Sequence, residues 1–91
     1  MRKTAQTLQR PDWQRGIHRI GQRRDNLAKP MTAFVAMCPD FRETLELYDH
    51  ACLAFEFWLS QSGDSAQELQ TEYSDMCEEM LQDILRFFPQ D

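Results

Sequence analysis

The 91-residue sequence has little glycine and proline and no long apolar segment. Three Gly and four Pro, together with 42% apolar and 27% charged residues, exclude a low-complexity chain and favour one folded domain. The longest apolar run, residues 33 to 38, is far shorter than the roughly 20 residues that cross a bilayer. Residues 1–30 lack the apolar core of a secretory signal. We therefore expect a cytoplasmic protein that does not contact a membrane.

The sequence also lacks the motifs by which common catalytic and metal sites are recognised. It contains neither a Gly-rich phosphate loop nor G-x-S-x-G. Cys38, Cys52 and Cys77 include no C-x-x-C pair, so we expect buried free thiols rather than disulfides or a zinc site. On a helix, His50 and Cys52 project about 160° apart, which excludes a base and nucleophile pair. We therefore predict a protein that is not an enzyme and holds no metal or cofactor.

Charge is arranged unevenly along the chain. The net charge is −5. Residues 1–30 carry eight Lys or Arg against two Asp, a net charge of +6, whereas residues 31–91 carry two Arg against thirteen acids, a net charge of −11. Such asymmetry is typical of a segment that binds an anionic surface. We therefore divide the chain into a basic N-terminal arm with a short helix, 1–30, and an acidic body, 31–91, within one folded domain.

In the arm, apolar residues recur at helical spacing beside a line of arginines. The predicted first helix has one apolar stripe, formed by Trp13, Ile17, Ile20 and Leu27. Beside it, every fourth residue is an arginine, and we call Arg15, Arg19 and Arg23 the Arg row. Arg24 falls within the apolar stripe, where burial without a partner would be costly. These four arginines are candidates to face an anion, either nucleic acid or an acidic protein surface of this chain or of another.

The body is predicted to contain a short helix, a long central helix and a last helix. The short helix starts at Pro30, and the central one follows Pro39 with two apolar stripes that cover about half of its circumference. Ser65 and Glu68 match a capping box, which predicts the start of the last helix, and its apolar stripe continues to Phe88. The short link between the long helices predicts an antiparallel hairpin. The expected fold is all-α, a three- to four-helix bundle built on this antiparallel helical hairpin with a basic N-terminal helical arm.

The last helix carries a second candidate surface. Six acids lie on its polar face with no Lys or Arg between them, and we call this set the acidic ridge: Glu68, Glu72, Asp75, Glu78, Glu79 and Asp83. Like charges four residues apart destabilise a helix by roughly 0.2–0.5 kcal/mol per pair. One interpretation is a face that only keeps the protein soluble. The other is a docking surface for cations, either the Arg row of this fold or a basic partner.

The two charged surfaces lead to three functional hypotheses. The preferred one is a small non-enzymatic accessory or regulatory protein that binds a larger protein or nucleoprotein assembly. Its partner is a protein that is basic or associated with nucleic acid, and the arm is where nucleic acid would be contacted. The alternative is an acidic inhibitor of a nucleic-acid-binding enzyme, of the kind that mobile elements use against host defences. The third is a self-assembling structural protein, such as a homodimer. Phe57 and Trp58 are candidates for an apolar interface with a partner.

Overall fold

The computed structural model describes residues 10–88, which form four α-helices. The helices are α1 (Trp13–Arg23), α2 (Ala28–Met37), α3 (Phe41–Leu59) and α4 (Asp64–Leu85). No strand occurs within residues 10–88, so the all-α prediction is confirmed. The first nine residues of the predicted arm, and Pro89 at the predicted end of the last helix, lie outside the described residues. In the part that is described, no helix has the length and apolar character needed to cross a membrane.

All four helices contribute to a single apolar core. Its buried members are Ile17, Ile20, Leu27, Met31, Val35, Phe41, Leu45, Tyr48, Cys52, Leu81 and Ile84. Helix α3 packs against each of the other three, which agrees with its two apolar stripes. Phe41 at the start of α3 packs against Phe87, just after α4, with ring centroids 5.5 Å apart. Near the other end of α3, the carbonyl of Trp58 accepts a hydrogen bond from Gln70 of α4 over 2.7 Å.

Helices α1 and α3 approach each other closely at Gly16. A Cβ atom added to Gly16 would lie 2.7 Å from the carbonyl oxygen of Leu45, a separation that real Cβ atoms do not show. Any side chain at this position would therefore push the two helices apart. This contact explains why α1 contains a residue that costs a helix about 1 kcal/mol relative to alanine.

The start of α4 differs from the prediction. The capping box placed the start at Ser65, but α4 begins at Asp64 and follows Gly63. Gly63 has φ 111°, a conformation that favours glycine. Its carbonyl already accepts the first helical hydrogen bond, from the amide of Gln67 over 3.1 Å. The glycine turn therefore starts the helix one residue earlier, and the prediction that Ser65 caps α4 is wrong.

Helices α1 and α4 also end earlier than their apolar stripes predict. Helix α1 ends at Arg23, and Leu27 is buried in the link just before α2. Helix α4 ends at Leu85, and Phe88 packs beyond it against Phe41, with ring centroids 6.1 Å apart. Both stripe residues contact the core as predicted, but from non-helical backbone. An apolar stripe reports which residues are buried, and turns at a helix end can bury the next apolar residue equally well.

Two further predictions are corrected by the structure. Helix α2 begins at Ala28, so Pro30 occupies its first turn rather than its start, at a position where the missing amide hydrogen has no intrahelical acceptor. Of the three thiols, Cys52 is buried and Cys77 is half-buried, but Cys38 is exposed. Cys38 directly follows the end of α2 with φ −135° and ψ 78°, so it has left the helix whose Met31 and Val35 reach the core.

Candidate functional site

The first two members of the Arg row converge on one buried acid, Asp49 of α3. Its side chain is fully buried. Oδ2 accepts hydrogen bonds from Nη2 of Arg15 over 2.8 Å and from the backbone amide of Asp12 over 2.9 Å. Oδ1 accepts from Nε of Arg19 over 2.7 Å. Charged donors thus replace the water that the carboxylate loses on burial, and this replacement is what makes a buried charge tolerable.

The protonation of Asp49 reflects this arrangement. Burial acts to raise the pKa of Asp49, but hydrogen bonds from Arg15, Arg19 and the Asp12 amide outweigh burial and lower the pKa below its ordinary value. The carboxylate is therefore ionised at neutral pH, and it fixes α1 on α3 by charge as well as by apolar packing.

Arg19 also reaches a second acid on α3. Its Nη1 donates to Oε2 of Glu56 over 2.6 Å, while Nε remains on Asp49. The hydrogen bond to Glu56 is the largest cause of the raised pKa of Arg19. Arg19 is 17% exposed and Glu56 53% exposed, so this ion pair lies at the edge of the buried cluster. The planar guanidinium carries donors on three nitrogens, so it can bridge two acids that lie a helical turn or more apart. An ammonium group is a compact charge and has a shorter reach between its donors.

The third member of the Arg row contacts the acidic ridge. Nη1 of Arg23 lies 3.1 Å from Oε1 of Glu78 on α4, and both side chains are about half exposed. This hydrogen bond lowers the pKa of Glu78. Exposed pairs of this kind contribute about 0–1 kcal/mol. Arg23 therefore connects α1 to α4 weakly, whereas Arg15 and Arg19 connect α1 to α3 through buried charge.

Arg24 and Trp13 complete the described part of the predicted arm. Arg24 follows α1, is exposed, and forms no ion pair with any of residues 10–88. It was predicted to lie on the apolar stripe, and it escapes burial because α1 ends before it. Trp13 is half-buried against the core, and the guanidinium of Arg42 lies 5.0 Å from its ring centroid. One face of this ring is thus occupied within the chain.

The six members of the acidic ridge are all exposed on α4. Glu78 pairs with Arg23, and Asp83 pairs with Arg86 over 3.4 Å. Within residues 10–88, four members form no ion pair: Glu68, Glu72, Asp75 and Glu79. The structure therefore brings the Arg row and the acidic ridge together at a single pair, and most of the ridge faces solvent.

The two candidate interface aromatics lie at the end of α3. Phe57 is 44% exposed and packs edge-on against Trp58, with ring centroids 5.1 Å apart. Trp58 is half-buried, and Leu59 next to it is 54% exposed. The carbonyl of Trp58 is held by Gln70 of α4. This end of the bundle thus exposes a small apolar patch, but one of its rings is partly covered.

The residue that organises the cluster, Asp49, was missed by the sequence analysis, as was Glu56. One signal was present. Asp49 lies four residues after Leu45 and three before Cys52, so it is an acid at a buried position of the apolar stripe on α3. An acid in that position requires a buried cation, and the Arg row of α1 is the nearest supply in the sequence.

The structure separates His50 from Cys52. Cys52 and His50 line different cavities, the former facing α4 and the latter beside Glu43 and Glu46. Over residues 10–88, no three His, Cys, Asp or Glu side chains are grouped so as to hold a metal ion.

Comparisons of the chain with models of protein families, with curated proteins and with solved structures gave no match.

Proposed function

We propose that this protein is a small non-enzymatic binding protein, an accessory or regulatory subunit that docks its acidic ridge on a basic surface of a larger protein or nucleoprotein assembly. The observation that carries the proposal is the internal pairing of the Arg row. Arg15 and Arg19 are occupied by Asp49, so of the Arg row only Arg23 reaches the ridge, where it pairs with Glu78. The four ridge residues without an ion pair within residues 10–88 are left for a cationic partner: Glu68, Glu72, Asp75 and Glu79.

The proposed architecture presents this ridge on a rigid support. We describe α3 and α4 as an antiparallel hairpin, with the described part of the basic arm folded across it as α1. The ridge lies on one 22-residue helix whose opposite face is anchored by Leu81 and Ile84 in the core. A preorganised surface loses little conformational freedom on binding, so more of its electrostatic attraction remains as affinity.

The same pairing argues against nucleic acid as the direct ligand of the Arg row. A phosphate that took Arg15 or Arg19 would remove one of the two arginines that compensate the buried Asp49, and one that took both would leave this carboxylate unpaired, at a cost of several kcal/mol. Of the four arginines, Arg24 alone forms no ion pair within residues 10–88, and a single exposed arginine gives a small part of the charge that non-specific binding requires. The pairing of the Arg row therefore favours a nucleoprotein partner that is bound through its protein component.

Inhibition of a nucleic-acid-binding enzyme is the second candidate, and the unpaired part of the ridge favours it. Four uncompensated carboxylates on one helix create a negative potential of the sign that a phosphate-binding groove attracts. Residues on a helix rise about 1.5 Å each, unlike phosphates along a strand of nucleic acid. Such an inhibitor would thus compete through its field and not by matching phosphate positions.

A matched pair of triple variants tests both candidates. In the ridge variant, Glu72, Asp75 and Glu79 are each changed to Lys; in the control, Asp25, Asp40 and Glu43, exposed acids away from the ridge, are changed to Lys. Tagged wild type and both variants are used to capture proteins from nuclease-treated lysate of the native host, and circular dichroism verifies folding. We expect a specific basic protein with wild type and control and its loss with the ridge variant.

The outcomes separate the hypotheses. If that basic protein is a nucleic-acid-binding enzyme and wild type lowers its activity, the inhibitor hypothesis is supported over the accessory one. Equal recovery by the ridge variant would contradict both. If the tagged protein captures partners only from lysate that has not been treated with nuclease, binding would be assigned to the arm. Self-assembly through Phe57 and Trp58 predicts instead a mass that rises with protein concentration and is unchanged in the ridge variant.

A further inference from the structure

Two thiols meet where α3 packs against α4. Cys52 is buried on α3 and Cys77 is half-buried on α4. Each thiol acts on the protonation of the other, so the two side chains lie near one another. Both line an open cavity of about 270 Å³. Since a water molecule occupies about 30 Å³ in the liquid, a solute of the size of hydrogen peroxide can reach the pair.

The walls of this cavity combine hydrogen-bond donors with charge of both signs. Arg19 and Arg23 of α1 line the cavity, opposed by Glu56 and Glu78. Tyr48, also in the wall, acts on the protonation of Cys52. The charge of Arg19 acts on both thiols, and its side chain is held in place by its own ion pairs. A cationic group and a hydroxyl donor are features that stabilise a thiolate in reactive cysteine sites.

The protonation of the two thiols differs accordingly. The pKa of Cys52 is lowered to about 7, chiefly by the adjacent Cys77 and against burial, with further lowering by Tyr48 and the charge of Arg19. Asp49 acts in the opposite direction. The pKa of Cys77 is raised by Cys52 and by burial. Cys52 is thus the thiolate of the pair and Cys77 the thiol.

We propose that Cys52 and Cys77 are a peroxide-reactive pair, in which Cys52 is the attacking sulfur and Cys77 the resolving one, and that oxidation joins α3 to α4 by a disulfide. Low-pKa cysteines beside a second thiol in a site that solutes can reach are the arrangement found in redox sensors. This modification site is independent of the proposed docking surface, since it concerns the chain alone.

The reaction balances with hydrogen peroxide as the oxidant. The Cys52 thiolate attacks one peroxide oxygen, the O–O bond breaks, hydroxide leaves, and Cys52 becomes a sulfenic acid. The sulfur of Cys77 then attacks the sulfur of Cys52, the S–O bond breaks, and the thiol proton of Cys77 leaves with the hydroxide as water. The two thiols give up two electrons, and the peroxide is reduced to water. A thiol reductant returns both cysteines to the starting state.

The test uses the full chain with Cys38→Ser, which removes the exposed thiol and any disulfide between copies through it. The protein is treated with hydrogen peroxide at pH 7, the remaining thiols are alkylated, and the intact mass is measured. We expect loss of two hydrogen atoms, no alkylation, a monomeric product and reversal by a reductant. Further replacement of Cys77 by Ser should leave Cys52 as a sulfenic acid that dimedone traps. Dimedone labelling of Cys77 when Cys52 is replaced instead would reverse the assigned roles.

The rate of oxidation by hydrogen peroxide decides whether Cys52 is more reactive than an ordinary free thiol. The rate of glutathione oxidation under the same conditions is the reference. A pKa of about 7 gives roughly 15-fold more thiolate at pH 7 than a free cysteine has. A thiolate of lower pKa is also a weaker nucleophile, which lowers the rate of attack by each thiolate about fivefold. We therefore expect Cys52 to be oxidised about three times faster than glutathione. Oxidation no faster than that of glutathione would overturn the proposal, as would alkylation of both cysteines after exposure to peroxide.

A second pair of variants tests the assignment of Cys52 without relying on the disulfide. In the Cys38→Ser background, the rate of iodoacetamide alkylation of Cys52 is measured as a function of pH. We expect this rate to reach half of its maximum near pH 7. Tyr48→Phe removes the hydroxyl donor and should move the midpoint upward, whereas Tyr73→Phe, outside the cavity wall, should not. A midpoint equal to that of glutathione in the Cys38→Ser protein would overturn the role of Cys52.

Discussion

Nε of Arg19 lies 2.7 Å from Oδ1 of Asp49, and this contact joins the arginine-rich helix α1 to the one fully buried acid among residues 10–88. The two residues are 30 positions apart in the sequence. Arg15 binds the same carboxylate. The Arg row, which was predicted to face an anion, therefore serves largely to hold α1 on α3. The surface left for a partner is therefore the acidic one.

Replacement of Asp49 by Asn tests how much of the stability depends on this cluster. The variant keeps the size of the side chain but leaves Arg15 and Arg19 without their buried counter-charge. Breaking a buried pair costs about 3–5 kcal/mol. Because Arg15 is 30% exposed and can be solvated in part, we expect the lower end of that range. Urea denaturation followed by circular dichroism measures the change.

Glu56→Gln is the matched control, because it removes the other acid that Arg19 contacts while leaving Asp49 in place. Glu56 is 53% exposed, so we expect a loss of about 0–1 kcal/mol. Equal losses for the two variants would contradict the view that Asp49 is the energetic centre of the cluster.

The pH dependence of stability follows from the lowered pKa of Asp49. A folded-state pKa below the value of 3.8 in the unfolded chain means that the folded protein binds this proton less readily. The contribution is therefore complete above the unfolded pKa and is lost as pH falls through the folded one. We expect the difference in unfolding free energy between wild type and Asp49→Asn to be constant from pH 7 to about 5 and to narrow below about 4. A difference that disappears above pH 5 would exclude Asp49 as its source.

The aromatic cluster near the ends of α2 and α4 provides a test of the packing. Phe41 is 6% exposed and Phe87 59% exposed, although the two rings are in edge contact. Phe41→Ala should cost about 3–5 kcal/mol, because it opens a cavity in the core. Phe87→Ala should cost about 1 kcal/mol or less, the worth of an aromatic contact with little burial. If thermal unfolding shows similar losses for both, the segment after α4 is more important to the core than its exposure indicates.

Much of the fold could be predicted from the sequence because apolar periodicity is a local property. The stripe predicted on α1 includes Ile17 and Ile20, and both are buried in the core. The helix ends could not be predicted in the same way. They depend on the φ of Gly63 and on the turn that buries Leu27, and these are set by how the packed helices are joined.

The partners of the arginines were harder to predict, since the body offers thirteen acids to three arginines of the row. Spacing placed the Arg row on one face of α1 but gave no information about which helix that face meets. Asp49 could have been singled out by its position between Leu45 and Cys52 on the buried stripe. Glu56 has no such signal, because it is an exposed acid like most of the others.

The two glycines of α1 make the sharpest test of how α1 packs. Alanine favours a helix over glycine by about 0.5–1 kcal/mol, so sequence alone predicts that both Gly16→Ala and Gly21→Ala stabilise. The structure separates them. A Cβ at position 16 would meet the carbonyl oxygen of Leu45 at 2.7 Å, whereas one at position 21 would meet only the Cβ of Ala28, at 3.4 Å.

We therefore expect Gly21→Ala to raise the unfolding free energy by about 0.5–1 kcal/mol, since its new methyl group fits in ordinary contact. Gly16→Ala should lower it by about 1–3 kcal/mol, because α1 must move away from α3 to accommodate the methyl group. That movement would also lengthen the contacts of Arg15 and Arg19 with Asp49, so the loss should be smaller when Asp49 is already Asn. Denaturation of the single and double variants measures this coupling. Strict additivity would mean that the close contact at Gly16 and the buried carboxylate hold α1 independently.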